Sequence, residues 1–244
     1  MDYVQKCIIL DNQLVSELEY LKAQGGPQLT IGVSGWKASF MLPQILSEFY
    51  QLHPRTKINV REGHSQNLRT AFLNGLIDVC LLNTLNPSDN DRLLCVEQIL
   101  LAVPADNPLI PKETKMLGGL PSIDLSLFAK SPFILVRPGS LINTIVTNAF
   151  DNLGVQPPVF LTTENVTTAL NIASEGLGLA FLPELGSSYE LSNKRSKLSL
   201  FFVRELSLNW HFVAQVNKAY SKSALVDDFV DVVSAYCKRH LLMK

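Results

Sequence analysis

The chain has 244 residues, 47% hydrophobic and 18% charged, a balance that excludes a disordered segment and allows one large core or two smaller ones. Lys and Arg number 21 against 22 Asp and Glu, giving a net charge of -1. No basic tract interrupts that balance, so the footprint of autonomous DNA binding is absent, and no apolar run is long enough for a membrane span.

Residues 2–24 hold neither proline nor glycine, and Gly25-Gly26-Pro27 ends them. Leu14, Leu18 and Leu21 fall at helical spacing with Glu17 and Glu19 between them, which predicts a helix. Cys7, Leu14 and Leu21 repeat every seven residues, a spacing compatible with pairing to a second helix or with docking on the chain's own domain. Asp2, Asp11, Glu17 and Glu19 make this start acidic, unlike the basic region and apolar core of an export signal.

Strands and helices then alternate. Residues 29–33 read as a short apolar strand, and residues 36–53 as a helix carrying Phe40, Leu42, Ile45, Leu46, Phe49 and Tyr50, closed by Pro54. Residues 57–61 alternate as a strand, 67–76 form a helix stopped at Gly75, and 77–82 are a third, apolar strand. This order predicts a mainly parallel sheet covered by helices. Residues 97–104 are another apolar strand, followed by turn chemistry at Ala105-Asp-Asn-Pro108 and an irregular stretch at Gly118-Gly119. A second cycle comprises strand 132–136, the turn Arg137-Pro-Gly-Ser140, helix 141–153, strand 159–163, helix 166–175 and strand 179–182, the last halted by Pro183. A strand over 210–216 and a helix over 224–240 finish the chain. The two cycles predict an α/β protein of two lobes.

Cys7, Cys80, Cys95 and Cys237 lack CxxC or disulfide-framework spacing and read as reduced thiols of a cytoplasmic protein, with Cys80 and Cys95 as buried packing. His53, His64, His211 and His240 are scattered, so no metal and no cofactor is expected. GxSxG, P-loop and HExxH motifs are absent, and Glu175-Gly-Leu-Gly178 precedes a strand instead of following one, so neither an enzyme nor a nucleotide site is expected.

Six motifs in order resemble the effector-binding domain of LysR-type transcriptional regulators. They are Leu29-Thr-Ile-Gly-Val; Leu42-Pro43 with Phe49 and His53-Pro54; Glu62-Gly63; Leu73-Asn-Gly-Leu-Ile-Asp78; Leu101-Ala-Val-Pro104 with Asn107-Pro108-Leu109; and Ser174-Glu-Gly-Leu-Gly-Leu-Ala-Phe-Leu-Pro183. Asn107 replaces the family's usual histidine before Pro108, and the N-terminal winged helix-turn-helix is missing. The resemblance implies two Rossmann-like lobes of the periplasmic-binding-protein type II kind, joined by two crossover strands. Residues 1–26 would be the end of a linker and dimerisation helix, 27–105 with 207–244 the first lobe, and 106–206 the second. It further implies a small-molecule effector in the interlobe cleft and a homo-oligomer, a dimer or in the full-length protein a tetramer. DNA would be contacted only through the absent domain, and no membrane. A transporter's solute-binding protein shares the architecture and is the alternative.

In open α/β lobes, ligands sit where strands end and helices begin. The first such turn, Ser34-Gly35-Trp36-Lys37, offers free backbone N–H groups to an anion, or Ser34 simply caps its helix with Trp36 packed against it. At the second, His64 and Ser65 follow Gly63, and His64 could donate to a carboxylate. At the third, Arg137 could fork onto a carboxylate beside Gly139 and Ser140, or pair with a surface acid. Asn165 and Val166 open the next second-lobe helix, where Asn165 caps it or bonds an effector's polar edge. Helix N-termini and cations together favour a small anionic or carboxylated effector.

Overall fold

The computed structural model describes residues 3–22, 26–117, 119–192, 197–206, 210–217 and 223–242. Asp2, Gln24, Gly25 and Gly118, and the side chains of Glu17, Leu18, Glu19 and Leu21, lie outside that description. In chain order the elements begin α1 (Tyr3–Lys22), β1 (Gln28–Val33), α2 (Gly35–Leu52), β2 (Lys57–Glu62), α3 (Ser65–Leu73), β3 (Val79–Thr84), β4 (Asp91–Glu97) and β5 (Ile99–Pro104). They continue with β6 (Lys115–Leu117), β7 (Leu120–Ile123), β8 (Phe133–Val136), α4 (Leu141–Asn152), β9 (Val159–Thr163), α5 (Val166–Ser174) and β10 (Ala180–Pro183). The last are α6 (Ser187–Ser192), β11 (Leu198–Val203), β12 (Trp210–Val216) and α7 (Ala224–His240).

Two compact units result, one of residues 1–95 with 211–237 and one of 96–210 with 238–244. The first is built on a sheet of order β2-β1-β3-β12-β4. Here β1 pairs in parallel with both β2 and β3, as the alternation of strands and helices predicts. β12 departs from that pattern: it returns from the far end of the sequence and lies antiparallel to β3, with Val213 opposite Leu82. α2 buries Phe40, Met41, Leu42, Ile45 and Phe49 at helical spacing. The Phe49 ring meets Phe229 of α7 edge-on at 5.4 Å, and His53 at the end of α2 lies 2.8 Å from Asp228 of α7. On another part of this unit α3 contributes Leu68 to a cluster with Ile77, Cys80, Leu82 and Val213.

The second unit is less parallel than the sequence suggests. β5, six consecutive buried residues, runs antiparallel to both β10 and β11 in a sheet of order β10-β5-β11-β7-β6. This strand, placed by sequence order before residue 105, therefore forms its hydrogen bonds in the second unit. It starts at Ile99 because Glu97 already ends β4. β8 and β9 form a parallel pair beside it, and Phe133 bridges in parallel to Leu179. The order β9-β8-Leu179 repeats the order β2-β1-β3 of the first unit, so the two cycles share one topology. Phe133, Phe150 and Phe181 meet in this core, with ring centroids 4.9 Å apart for Phe133–Phe150 and 5.6 Å for Phe133–Phe181.

The buried thiols behave as packing. Cys80, Cys95 and Cys237 are buried and Cys7 is exposed on α1. Burial pushes the Cys80 thiol up to about 12, so it stays protonated and a poor nucleophile.

Asp78 does different work. Its carboxylate accepts the Thr30 N–H at 2.7 Å, and its own N–H donates to the Thr30 carbonyl at 2.9 Å, fastening β1 just before β3 begins. Burial raises its carboxyl above the ordinary value of 3.8, with the Thr30 N–H opposing. The folded state thus holds this proton more tightly than the unfolded chain. The associated stability is complete below about pH 4 and is lost as pH rises through the raised value. Asp78→Asn cannot ionise, so wild type should lose stability relative to it over that window. Urea midpoints at pH 4 and pH 7 check this, and a relative gain for wild type at the higher pH would contradict it.

Candidate functional site

In the first unit β1 and β2 end side by side, with Val33 in register with Glu62. Two helices therefore begin next to each other. Ser34, in an extended conformation, caps α2 by accepting the Lys37 N–H at 3.4 Å, so the capping reading of this serine holds. The Trp36 ring meets Phe40 edge-on at 4.8 Å. Lys37 does not reach into solvent: it is 3% exposed, and its Nζ lies 4.2 Å from the centroid of the Phe212 ring. A Cβ on Gly35 would come within 2.8 Å of a Glu62 carboxylate oxygen, so the absence of a side chain there admits that acid to the start of α2. His64 occupies the cap position of α3 without a side-chain cap bond; it and Ser65 are exposed.

The second unit repeats this arrangement. The Arg137 N–H donates to the Thr163 carbonyl at 2.8 Å, joining the ends of β8 and β9. Ser140 caps α4, accepting from Asn143 N–H at 3.3 Å and donating its hydroxyl to the Arg137 carbonyl at 2.9 Å. Gly139 takes φ +82° in this turn, a conformation open to glycine. Asn165 caps α5 by accepting the Thr168 N–H at 2.8 Å, while Val166 is buried and can offer a ligand only its backbone.

Arg137 takes the surface-acid option. Its Nε lies 2.8 Å from Glu164 Oε2, an ion pair whose alignment is not that of a hydrogen bond. Glu164 is 67% exposed, so this pairing is weak and open to competition. Asn143 completes the turn by donating to the Val136 carbonyl at 2.8 Å.

Sequence reasoning named the caps and missed Glu62, Glu164 and Asn143. The signal was present in two places: an acid at or just past the end of the second strand of each cycle, two residues before the next helix cap for Glu62 and one before it for Glu164. Each unit thus sets two adjacent helix N-termini at the ends of a parallel strand pair, with one basic and one acidic side chain nearby. Such a turn can bind an anion through backbone N–H groups and the helix dipole. Among the described residues, no group of three or more His, Cys, Asp or Glu could hold a metal, and no helix is long and apolar enough to cross a membrane.

The model of the LysR substrate binding domain matches residues 22–238. The HTH-type transcriptional regulator YybE of Bacillus subtilis is 29% identical over 147 residues, covering 59% of this chain and 48% of that protein. The HTH-type transcriptional regulator BenM of Acinetobacter baylyi is 27% identical over 195 residues, covering 78% and 62%. The effector binding domain of QuiR in complex with shikimate superposes with a TM-score of 0.68 at 17% identity, covering 89% of this chain and all of that domain. The BenM effector binding domain with benzoate gives a TM-score of 0.68 at 21% identity, covering 88% and 97%. The architecture is that of the periplasmic-binding-protein type II fold. The chain spans about half to two-thirds of the length of these curated relatives, and with a family match over residues 22–238 it belongs to the LysR substrate binding domain family.

Proposed function

We propose that this chain is the sensing part of a LysR-type transcriptional regulator and binds a small anionic or carboxylated effector at the strand-end turns. The observation that carries this reading is the repeated pair of helix N-termini, capped by Ser34 in one unit and by Ser140 and Asn165 in the other. Gly35, Trp36, Lys37, His64 and Ser65 are the candidate contact residues of the first unit, and Arg137, Gly139, Ser140, Asn165 and Val166 those of the second. Shikimate and benzoate, the molecules bound to the QuiR and BenM domains, are both carboxylates. An effector carboxylate would displace Glu164 from Arg137 and gain charge-assisted hydrogen bonds.

Calorimetry with carboxylates, phosphates and neutral or cationic analogues tests the reading. Arg137→Ala should weaken an anionic ligand roughly ten- to hundredfold, from the ~1.5–3 kcal/mol of a hydrogen bond to a charged group. Ser34→Ala should weaken it severalfold. If only neutral or cationic compounds bind, and both variants are harmless, the anion reading fails.

Whole-protein behaviour follows as part of the same proposal. DNA binding would belong to an N-terminal domain like those of the HTH-type relatives, and the regulator would work in the cytoplasm without catalysis. α1 would pair two copies. Its Asn12 side chain donates to the Asn74 carbonyl at 2.8 Å, which docks one face, while Val4, Ile8, Leu10, Leu14 and Val15 are exposed. Sedimentation should show a concentration-dependent dimer that Ile8→Asp with Val15→Asp converts to monomer; an unchanged association state would overturn the assignment to α1.

A further inference from the structure

The chain passes between its two units three times: after Cys95, before His211 and after Cys237. Residues beside all three passages meet at two buried acids of the second unit. Glu97 is 0% exposed and Glu184 1%. Glu97 Oε1 accepts the indole N–H of Trp210 at 3.1 Å, and Oε2 the backbone N–H of Leu185 at 3.2 Å. Glu184 Oε2 accepts the N–H of Gln98 at 3.0 Å, and Oε1 that of Leu242 at 2.7 Å. The Glu184 N–H donates to the Gln98 carbonyl at 2.8 Å, so each acid binds the residue that follows the other.

The chain positions give this network its meaning. Glu97 and Gln98 stand just past the first passage, Trp210 is the last residue before the second, and Leu242 lies just past the third. Four N–H donors converge on four carboxylate oxygens. Only a carboxylate presents two acceptors and no donor; a glutamine would turn an NH2 group toward one of these N–H groups and leave a buried donor unsatisfied. Charge-assisted bonds of this kind are stronger and geometrically stricter than neutral ones.

We propose that Glu97 and Glu184 form a junction anchor, a single buried acid pair that fixes the second-unit end of every passage between the units. A change in how the units are held must then be taken up at the first-unit ends, around Cys95, His211 and Cys237. The anchor is a positioning device and does not depend on the effector reading.

The test uses the full chain without ligand. Gln51 on α2 and Asp151 on α4 are exposed and lie in different units, and Cys7 is the exposed thiol among the four. Nitroxides at Gln51→Cys and Asp151→Cys in a Cys7→Ser background report the distance distribution between the units by pulsed electron resonance. Glu97→Gln and Leu242→Pro should each at least double its width. Amide exchange at Gln98 and Leu185 should rise at least tenfold in Glu97→Gln, with Ile31 and Val79 unchanged. Should Glu97→Gln not fold, Trp210→Phe and Leu242→Pro each delete one donor and carry the same expectation. An unchanged width in the folded variants, even with a lower melting temperature, overturns the proposal, because the acids would then only stabilise their own unit.

Discussion

Phe133→Ala should remove about 4 kcal/mol of stability from the second unit, the upper part of the range for a buried aromatic truncated to a methyl group. Phe133 is fully buried at the start of β8, stacked against Phe181 with an interplanar angle of 8° and meeting Phe150 at 74°. Its loss leaves a cavity that two other rings must line, and forfeits aromatic contacts worth more than their area. Domains of this kind hold only about 5–15 kcal/mol in total, so the second unit should be close to unfolding. Amide exchange at Phe150 and Phe181, both inside the second unit, reports the stability of the affected unit. Phe160→Ala is the control: that ring is 52% exposed, and its removal should cost no more than about 0.5 kcal/mol. A loss under about 1.5 kcal/mol for Phe133→Ala would contradict the packing described.

Gly178→Val should cost about 3 kcal/mol, through overpacking and the loss of strand hydrogen bonds. A Cβ at Gly178 would sit 2.8 Å from the Pro132 carbonyl oxygen, a backbone atom that cannot yield cheaply, and 3.2 Å from the Ile134 side chain. Pro132 and Ile134 are the residues that exchange hydrogen bonds with Leu179, at 2.9 and 2.8 Å, so a wedge there pries β8 from the lead-in to β10. The neighbouring Gly176 serves a different need: its φ is +81°, and open space surrounds it. Gly176→Ala should therefore cost only about 1 kcal/mol, a conformational penalty without a clash. Chemical denaturation of the two variants checks the ranking, and equal losses would show that close approach is not what Gly178 provides.

These two glycines show what a sequence does and does not disclose. Both stand in one motif, and the motif announces a turn before a strand. Which glycine is needed for φ and which for close approach depends on Pro132, a residue brought near only by folding. Local signals were otherwise reliable. Residues 159–163, 210–216 and 224–240 were delimited by their apolar pattern and flanking turns, and β9, β12 and α7 occupy those spans. The caps Ser34, Ser140 and Asn165 were legible because a capping side chain acts within its own turn.

Long-range choices were not legible. β4, β6, β7 and β11 escaped notice, although β11 reads Leu-Ser-Leu-Phe-Phe-Val, because a short apolar run carries no period that separates strand from buried helix. The antiparallel placement of β5 between β10 and β11 follows from pairing between distant segments, which no window of sequence contains. Arg137 had two readings at the sequence level, and only the register of β8 with β9 selects Glu164 as its neighbour. The same holds for Glu97 and Glu184, two glutamates with no local signature whose significance lies in Trp210 and Leu242.

The most direct test of anion sensing is a titration of the 15N-labelled chain with benzoate, shikimate and inorganic phosphate, followed by amide chemical shifts. The account predicts saturable shifts, for at least one of these anions, concentrated at the amides of the helix starts, Gly35 to Ala38 and Ser65 to Leu68 in the first unit and Leu141 to Thr144 and Val166 to Ala169 in the second, and weakened in Arg137→Ala. Saturable shifts that avoid all of these helix starts, or that are unchanged in Arg137→Ala, would contradict it.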